Sequence, residues 1–126
     1  MSAGECLRLL ASVPVGRIVY TRKAMPAVEL VNFTMDTGDI VIRTDADGTL
    51  AAATQHAVVA FEVDELDAAS GRGWSVTTVG RSWEVTDPQD IARLKEKDLR
   101  SWSAGPSEHF IRITPGIVNG HRLAPR

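Results

Sequence analysis

The sequence contains a single cysteine, Cys6, so no disulfide can form within the chain and a zinc site built on two or more cysteines is excluded. It also lacks an apolar run of the roughly 18 residues that a membrane-spanning helix needs. Glu5 and Arg8 interrupt the apolar stretch near the N-terminus, which argues against a signal peptide. We therefore expect a cytoplasmic protein with no membrane partner.

Long lysine and arginine runs are absent as well, and the formal net charge is −2. Because nucleic-acid binding normally requires a basic patch, no nucleic-acid partner is expected. The histidines, His56, His109 and His121, lie far apart in the sequence and form no His-x-x-x-His pair, so no metal site is predicted. Neither a Gly-x-Ser-x-Gly elbow nor a Walker loop is present.

What the chain does have is the composition of one globular domain spanning residues 1–126, with 44% hydrophobic and 24% charged residues. A short amphipathic helix is predicted at residues 4–12, with Cys6 as a small core residue. Strands rich in β-branched residues are predicted at 15–21, 27–34, 39–44, 57–64, 74–86 and 109–120, with residues 65–73 irregular. These segments predict a mostly β fold, most economically a small closed barrel without exposed edges.

The segment 74–86 is apolar on both faces, which is unusual for an antiparallel strand with one face in water. The second face either meets a partner subunit or is covered by the segment 87–99. That segment is a predicted helix in which Asp87 is the N-cap and Pro88 lies in the first turn. Both interpretations remain open from the residues alone.

The stretch "RTDADGTLAA" at residues 43–52 predicts a strand end, a tight turn and a helix start. Unpaired backbone N–H groups and the helix dipole favour an anion at such a place, and Arg43 adds a charged fork. Asp47 is also a good N-cap, so a capped surface turn explains the same residues.

The order of several motifs resembles the pyridoxamine 5'-phosphate oxidase-like proteins, the flavin-binding split-barrel family, most closely its short members that use FMN or a deazaflavin. The resemblance covers nearly the whole chain. It is carried by "ECLRLLASVPVGRIVYT", "PAVELVNF", "IVIRTDADGTLAAA", "VAFEVDELD", "GWSVTTVGRSWEVTDPQDIARL" and "HFIRITPGIVNGHRL".

This resemblance implies a six-stranded antiparallel split β-barrel with a short N-terminal helix and one or two further helices. It also implies a homodimer with FMN held at the interface, and an oxidoreductase acting on a small-molecule redox substrate. In such a flavoprotein the cofactor performs the hydride chemistry, so no side chain is predicted to be catalytic. The alternatives are a deazaflavin-dependent reductase, a non-enzymatic binding protein of the same fold, and an interaction scaffold without a ligand.

The resemblance also implies a set of cofactor-binding residues. They are Asn32, Phe33, Arg43, Thr44, Gly48, Thr49, Trp74 and Ser75. The sequence departs from the family at the turn, where a phosphate-binding lysine is expected at the position of Thr49 or Leu50. Asp45 and Asp47 add like charges near that phosphate.

Overall fold

The computed structural model of the protein describes residues 1–44, 50, 53–97, 99 and 109–125. Its helices and strands, numbered in chain order, are α1 (Ala3–Leu10), β1 (Val15–Arg22), β2 (Met25–Asp36), β3 (Asp39–Thr44), β4 (Ala57–Asp67), β5 (Arg72–Glu84), α2 (Pro88–Lys95) and β6 (His109–Leu123). None of the helices in these ranges is long and apolar enough to span a membrane.

The strands form one antiparallel sheet that closes into a barrel in the order β1-β2-β3-β6-β5-β4. Closure depends on the pairing of β1 with β4, in which Ile18 lies opposite Phe61. Inward-facing residues alternate along each strand and fill the interior, and Cys6 and Leu10 of α1 pack against the same core. The register between β5 and β6 shifts at Val79 and Gly80, which pair with Ile117 and Pro115, so Gly116 is an extra residue in β6.

The predicted fold class is confirmed, and each predicted strand is present within a few residues of its expected bounds. The segment 65–73, predicted as irregular, is mostly strand, because β4 and β5 pair as far as Asp67 and Arg72. Alternation alone could not show this, since Glu65, Leu66 and Asp67 are exposed and give no buried stripe. Cys6 is buried as predicted, whereas Leu7 is exposed.

Helix α2 covers part of the outer barrel surface. Asp87 caps it by accepting a hydrogen bond from the Gln89 amide at 2.9 Å, and Pro88 lies in its first turn, as predicted. A second hydrophobic cluster forms beneath the helix and consists of Val41, Val85, Leu94, Leu99 and Phe110, with Ile91 packed against it. The helix therefore covers β3, the start of β6 and the residue after β5, but leaves Val79 in β5 exposed.

A buried carboxylate joins α2 to the barrel. Asp36, at the end of β2, accepts hydrogen bonds from Arg93 at 2.6 and 3.0 Å and from Arg112 at 2.7 Å. The Lys97 ammonium lies 3.5 Å from Asp36, and Arg112 also reaches Asp39 at 3.3 Å. Hydrogen bonds from Arg93, together with those from Arg112, outweigh burial and hold the pKa of Asp36 well below its usual range.

Candidate cofactor site

Two of the predicted site residues, Asn32 and Arg43, lie on the outer surface of the barrel where the β2–β3 ladder ends. The last pair of that ladder is Phe33 with Ile42, and both side chains are buried in the barrel core. Strand alternation then turns the neighbouring Asn32 and Arg43 to the outer face. The Phe33 ring itself points inward and meets Phe61 edge to face, with ring centroids 4.9 Å apart.

Arg43 is placed by the segment that follows α2. Its guanidinium donates to the Leu99 carbonyl at 3.4 Å and lies 5.3 Å from the centroid of the Phe110 ring. Phe110 is the cross-strand neighbour of Arg43, so both side chains project from the same face of the sheet. The guanidinium is therefore held over an aromatic face, and binding of the cofactor by Arg43 stays a prediction.

Thr44 ends β3 and is buried, on the opposite face of the strand from Arg43. Its cross-strand partner is His109, the first residue of β6. Gly48 and Thr49, the remaining residues predicted at the turn, lie outside the described residues, and so do Asp45 and Asp47.

An open cleft of about 440 Å³ lies beside Asn32. It is lined by residues 11–14, which connect α1 to β1, and by Phe33, Thr34 and Met35 of β2. Its volume falls within the range of small-molecule and cofactor sites. Asn32 precedes the lining residues of β2 in the sequence and is not itself part of the lining.

Trp74 and Ser75 lie at the other end of the barrel from Thr44. Trp74 and Glu84 are ten residues apart in β5, which corresponds to roughly 33 Å of extended strand. Glu84 in turn contacts His109, the partner of Thr44. Within one chain the structure therefore does not bring the Trp74–Ser75 pair together with Arg43 and Thr44.

Sequence reasoning did not find the pair formed by Glu84 and His109. His109 Nδ1 lies 2.5 Å from Glu84 Oε2, and both side chains are mostly buried. The residues are 25 positions apart, and the barrel register brings them together. The signal available in the sequence was positional, since Glu84 lies near the end of one predicted strand and His109 begins the next. Among the described residues, no three His, Cys, Asp or Glu side chains are arranged to hold a metal ion.

An exposed apolar row crosses the outer face of five strands. It consists of Val28, Val19, Ala60, Val79 and Ile117, each lying directly opposite the next on adjacent strands. Val28 is 64% exposed and Ile117 is 69% exposed. Contiguous apolar surface of this kind typically marks an interaction site.

Charged side chains flank the apolar row. Arg17 donates hydrogen bonds to Glu62 at 3.0 Å and to Asp64 at 2.8 Å. Burial, together with the neighbouring Asp64, raises the pKa of Glu62, and Asp64 raises the pKa of Arg17. An apolar centre with a charged border is the usual anatomy of a protein interface.

Comparison with known proteins supports the resemblance seen in the sequence. The family model described as pyridoxamine 5'-phosphate oxidase matches residues 2–122. The chain belongs to the pyridoxamine 5'-phosphate oxidase family.

Several known proteins are similar to this chain over nearly its whole length. The FAD binding protein from Mycobacterium smegmatis has 32% sequence identity and a TM-score of 0.82, with 99% of this chain and 98% of that chain covered. A conserved protein from Corynebacterium diphtheriae has 29% identity and a TM-score of 0.79, with coverages of 99% and 96%. An uncharacterised protein of Mycobacterium tuberculosis is 38% identical over 124 residues, which is 94% of this chain and 81% of the relative.

The structure describes one of the two positions, Thr49 and Leu50, at which the resemblance places a phosphate-binding lysine. Leu50 is 3% exposed and belongs to the barrel core. A lysine there would bury a charge, so the alignment that places the lysine at Leu50 is disfavoured.

Proposed function

We propose that this protein is a flavin-dependent oxidoreductase that holds FMN between two copies of the chain, with a small molecule as the redox substrate. The observation that carries the proposal is the position of Asn32 and Arg43, which share the outer face of the barrel where the β2–β3 ladder ends. A flavin is supported by the pyridoxamine 5'-phosphate oxidase family match and by the FAD binding protein of Mycobacterium smegmatis.

Two features of the single chain support a homodimer. The apolar row leaves Val28, Val79 and Ile117 exposed in the monomer, and covering them with the same row of a second copy removes apolar area from water. The second feature is the separation of Trp74 from Glu84 by roughly 33 Å along β5, which leaves Trp74 of the same chain at the end of the barrel away from Thr44. A two-fold partner packed across the apolar row can bring its own Trp74 and Ser75 towards Arg43.

Different residues of the chain suit the phosphate and the ring of a flavin. Arg43 supplies a forked cation for the phosphate, and Thr44 and the backbone of residues 48 and 49 are predicted to complete that end. We expect the amide of Asn32 to hydrogen-bond to a polar edge of the ring. When bound, the flavin supplies hydride transfer, and the chain positions it and its substrate.

The first test is direct binding. The purified protein is examined for visible absorbance, and then FMN, FAD, riboflavin and a deazaflavin cofactor are titrated while their fluorescence is followed. Saturable quenching by FMN at micromolar concentration is expected. The absence of both a bound chromophore and saturable quenching by any of these ligands would contradict the proposal.

A substitution of Arg43, compared with a matched control variant, tests whether the phosphate of FMN binds at this residue. Arg43→Gln is expected to weaken FMN binding about tenfold to a hundredfold, because a charge-assisted hydrogen bond contributes roughly 1.5 to 3 kcal/mol. Riboflavin, which has no phosphate, should bind both proteins equally. Arg8→Gln, which removes an exposed arginine of α1, is the matched control and should change neither affinity. Equal affinities of FMN for the Arg43 variant and the control would show that the phosphate lies elsewhere.

The competing function is a non-enzymatic binding protein of the same fold. It is favoured by the turn sequence, which contains two acidic residues, Asp45 and Asp47, and has no lysine at Thr49 or Leu50. Reduction of the bound flavin by a nicotinamide donor, followed by its reoxidation with a substrate, separates the two functions. Stoichiometric flavin binding without reduction by NADH or NADPH would favour the binding protein.

A further inference from the structure

A second open cleft, of about 340 Å³, lies at the barrel end where β5 begins and β6 ends. Its lining residues belong to these two strand ends and to the residue that follows β6. They are Arg72, Gly73, Trp74, Arg122, Leu123 and Ala124. Small-molecule sites have volumes of roughly 300 to 1,000 Å³, so this cleft suits a ligand of one or two rings rather than a dinucleotide.

The strand register groups an indole with two guanidinium groups in this cleft. Alternation along β5 turns Arg72 and Trp74 to the same face of the sheet. Trp74 pairs directly with Arg122 of β6, so these two side chains also project from one face. Trp74 is half-buried and packs against the barrel core. The cleft therefore combines a supported aromatic side chain with two cations.

Arg72 forms no ion pair with any of the described residues. Its cross-strand neighbour is Asp67. The Asp67 carboxylate instead accepts hydrogen bonds from the Ala69 amide and from the Ser70 hydroxyl, each at 3.0 Å. These contacts hold Asp67 in the turn between β4 and β5, so the Arg72 guanidinium is left for a ligand in the cleft.

Arg122 is oriented by helix α1, because its guanidinium forms an ion pair with Glu5. The Arg122 side chain is still 63% exposed. A guanidinium carries several N–H donors, so contact with one carboxylate leaves others for a ligand. Glu65, the neighbour of Trp74 on β4, is not part of the lining. The charged side chains that line the cleft are therefore both positive.

We propose that this cleft is a binding site for a small planar aromatic carboxylate, with the ring against Trp74 and the carboxylate at Arg72 and Arg122. An indole offers a flat apolar surface on which an aromatic ring stacks, and the planar fork of arginine matches a carboxylate. The inference goes beyond the proposed flavin function, because the cleft lies at the barrel end away from Thr44 and requires no bound flavin.

Isothermal titration calorimetry on the full chain without flavin tests the site, with naphthoate and its neutral analogue naphthamide as probes. We expect naphthoate to bind at one site per chain and naphthamide to bind about tenfold more weakly, because it keeps the rings but not the charge. Arg72→Gln should weaken naphthoate binding about tenfold and leave naphthamide binding unchanged. The matched control Arg22→Gln, which removes an exposed arginine at the end of β1, should change neither affinity.

Trp74→Leu tests the aromatic surface. It should weaken the binding of naphthoate and naphthamide alike, because both probes lose the ring contact. Circular dichroism establishes that each variant is folded. Trp74 also packs against the core, so Arg72→Gln, at an exposed position, decides the outcome if Trp74→Leu does not fold.

Three results would overturn the proposed site: no binding of naphthoate at millimolar concentration, equal affinities for the two probes, or an effect of Arg72→Gln no larger than that of Arg22→Gln. FMN is titrated against the same variants, and Arg72→Gln should bind it like the wild type. A parallel loss of FMN and naphthoate affinity would assign Arg72 to the flavin site and overturn a separate cleft. Failure of FMN to bind while naphthoate binds would overturn the flavin function alone.

Discussion

Replacing Asp36 by asparagine should release α2 from the barrel. Asp36 is 5% exposed and receives hydrogen bonds from Arg93 and Arg112. The substitution leaves the mostly buried Arg112 with the Asp36 carbonyl at 3.1 Å and Asp39 at 3.3 Å. Breaking a buried pair costs roughly 3 to 5 kcal/mol, and these remaining partners place the expected loss at about 3 kcal/mol.

Urea unfolding followed by tryptophan fluorescence measures this loss. With a slope of about 1.5 kcal/mol per molar urea, the midpoint should fall by roughly 2 M. Protein concentration is held constant, because a dimer makes apparent stability depend on it. The matched control is Asp90→Asn, which removes an exposed carboxylate 3.5 Å from Arg93 and should change stability by less than about 1 kcal/mol.

The pH dependence of the free energy of unfolding tests the Asp36 contacts in a second way. Hydrogen bonds from Arg93 and Arg112 lower the pKa of Asp36 in the folded protein. Its contribution is therefore complete above the pKa of an unfolded aspartate, about 3.9, and is lost as the pH falls towards the lower folded value. The difference between wild type and Asp36→Asn should be constant near neutrality and shrink below about pH 4. A loss no larger than that of Asp90→Asn, or a difference that does not change in acid, would refute the reasoning.

Three other substitutions test the interface and the turn. Ile117→Arg should raise the dimer dissociation constant a hundredfold or more in sedimentation experiments. Burial of each isoleucine contributes roughly 1.5 to 3 kcal/mol, and the substitution occurs in both copies. The control Met25→Arg, at a position that is 68% exposed and outside the apolar row, should leave the dissociation constant unchanged. Thr49→Lys should tighten FMN binding about tenfold to a hundredfold relative to Thr49→Gln, and no change would exclude a phosphate at the turn. Leu50→Lys should lower the urea midpoint because it buries a charge in the core, and an unchanged midpoint would contradict the burial of Leu50.

Helix α2 and the apolar row both bear on what covers the second apolar face of the segment 74–86. The helix was one explanation for the second apolar face, and it does cover Val85. It does not reach Val79, which lies in the row with Ile117. The helix therefore covers the residue that follows β5, and burial of Val79 by a partner subunit stays a prediction.

Local patterns in the sequence determined most of the secondary structure. Alternation along β4 placed Val59, Phe61 and Val63 on the buried face, and Asp87 with Pro88 marked the start of α2. These features depend on neighbours within a few residues, because side-chain direction in a strand repeats every two positions and a helix cap involves a single turn. For the same reason the order of strand motifs was sufficient to indicate the family.

Tertiary structure decided which distant residues meet. The contacts of Glu84 with His109, of Asp36 with Arg112 and of Arg43 with Phe110 all depend on how β6 pairs with β3 and β5. A shift of one residue in that register would turn each side chain to the other face. Closure of the barrel likewise aligned the apolar row across five strands, and it separated Trp74 from Thr44. The sequence therefore determined the elements and their family, whereas the register of the closed sheet decided how the candidate site is assembled.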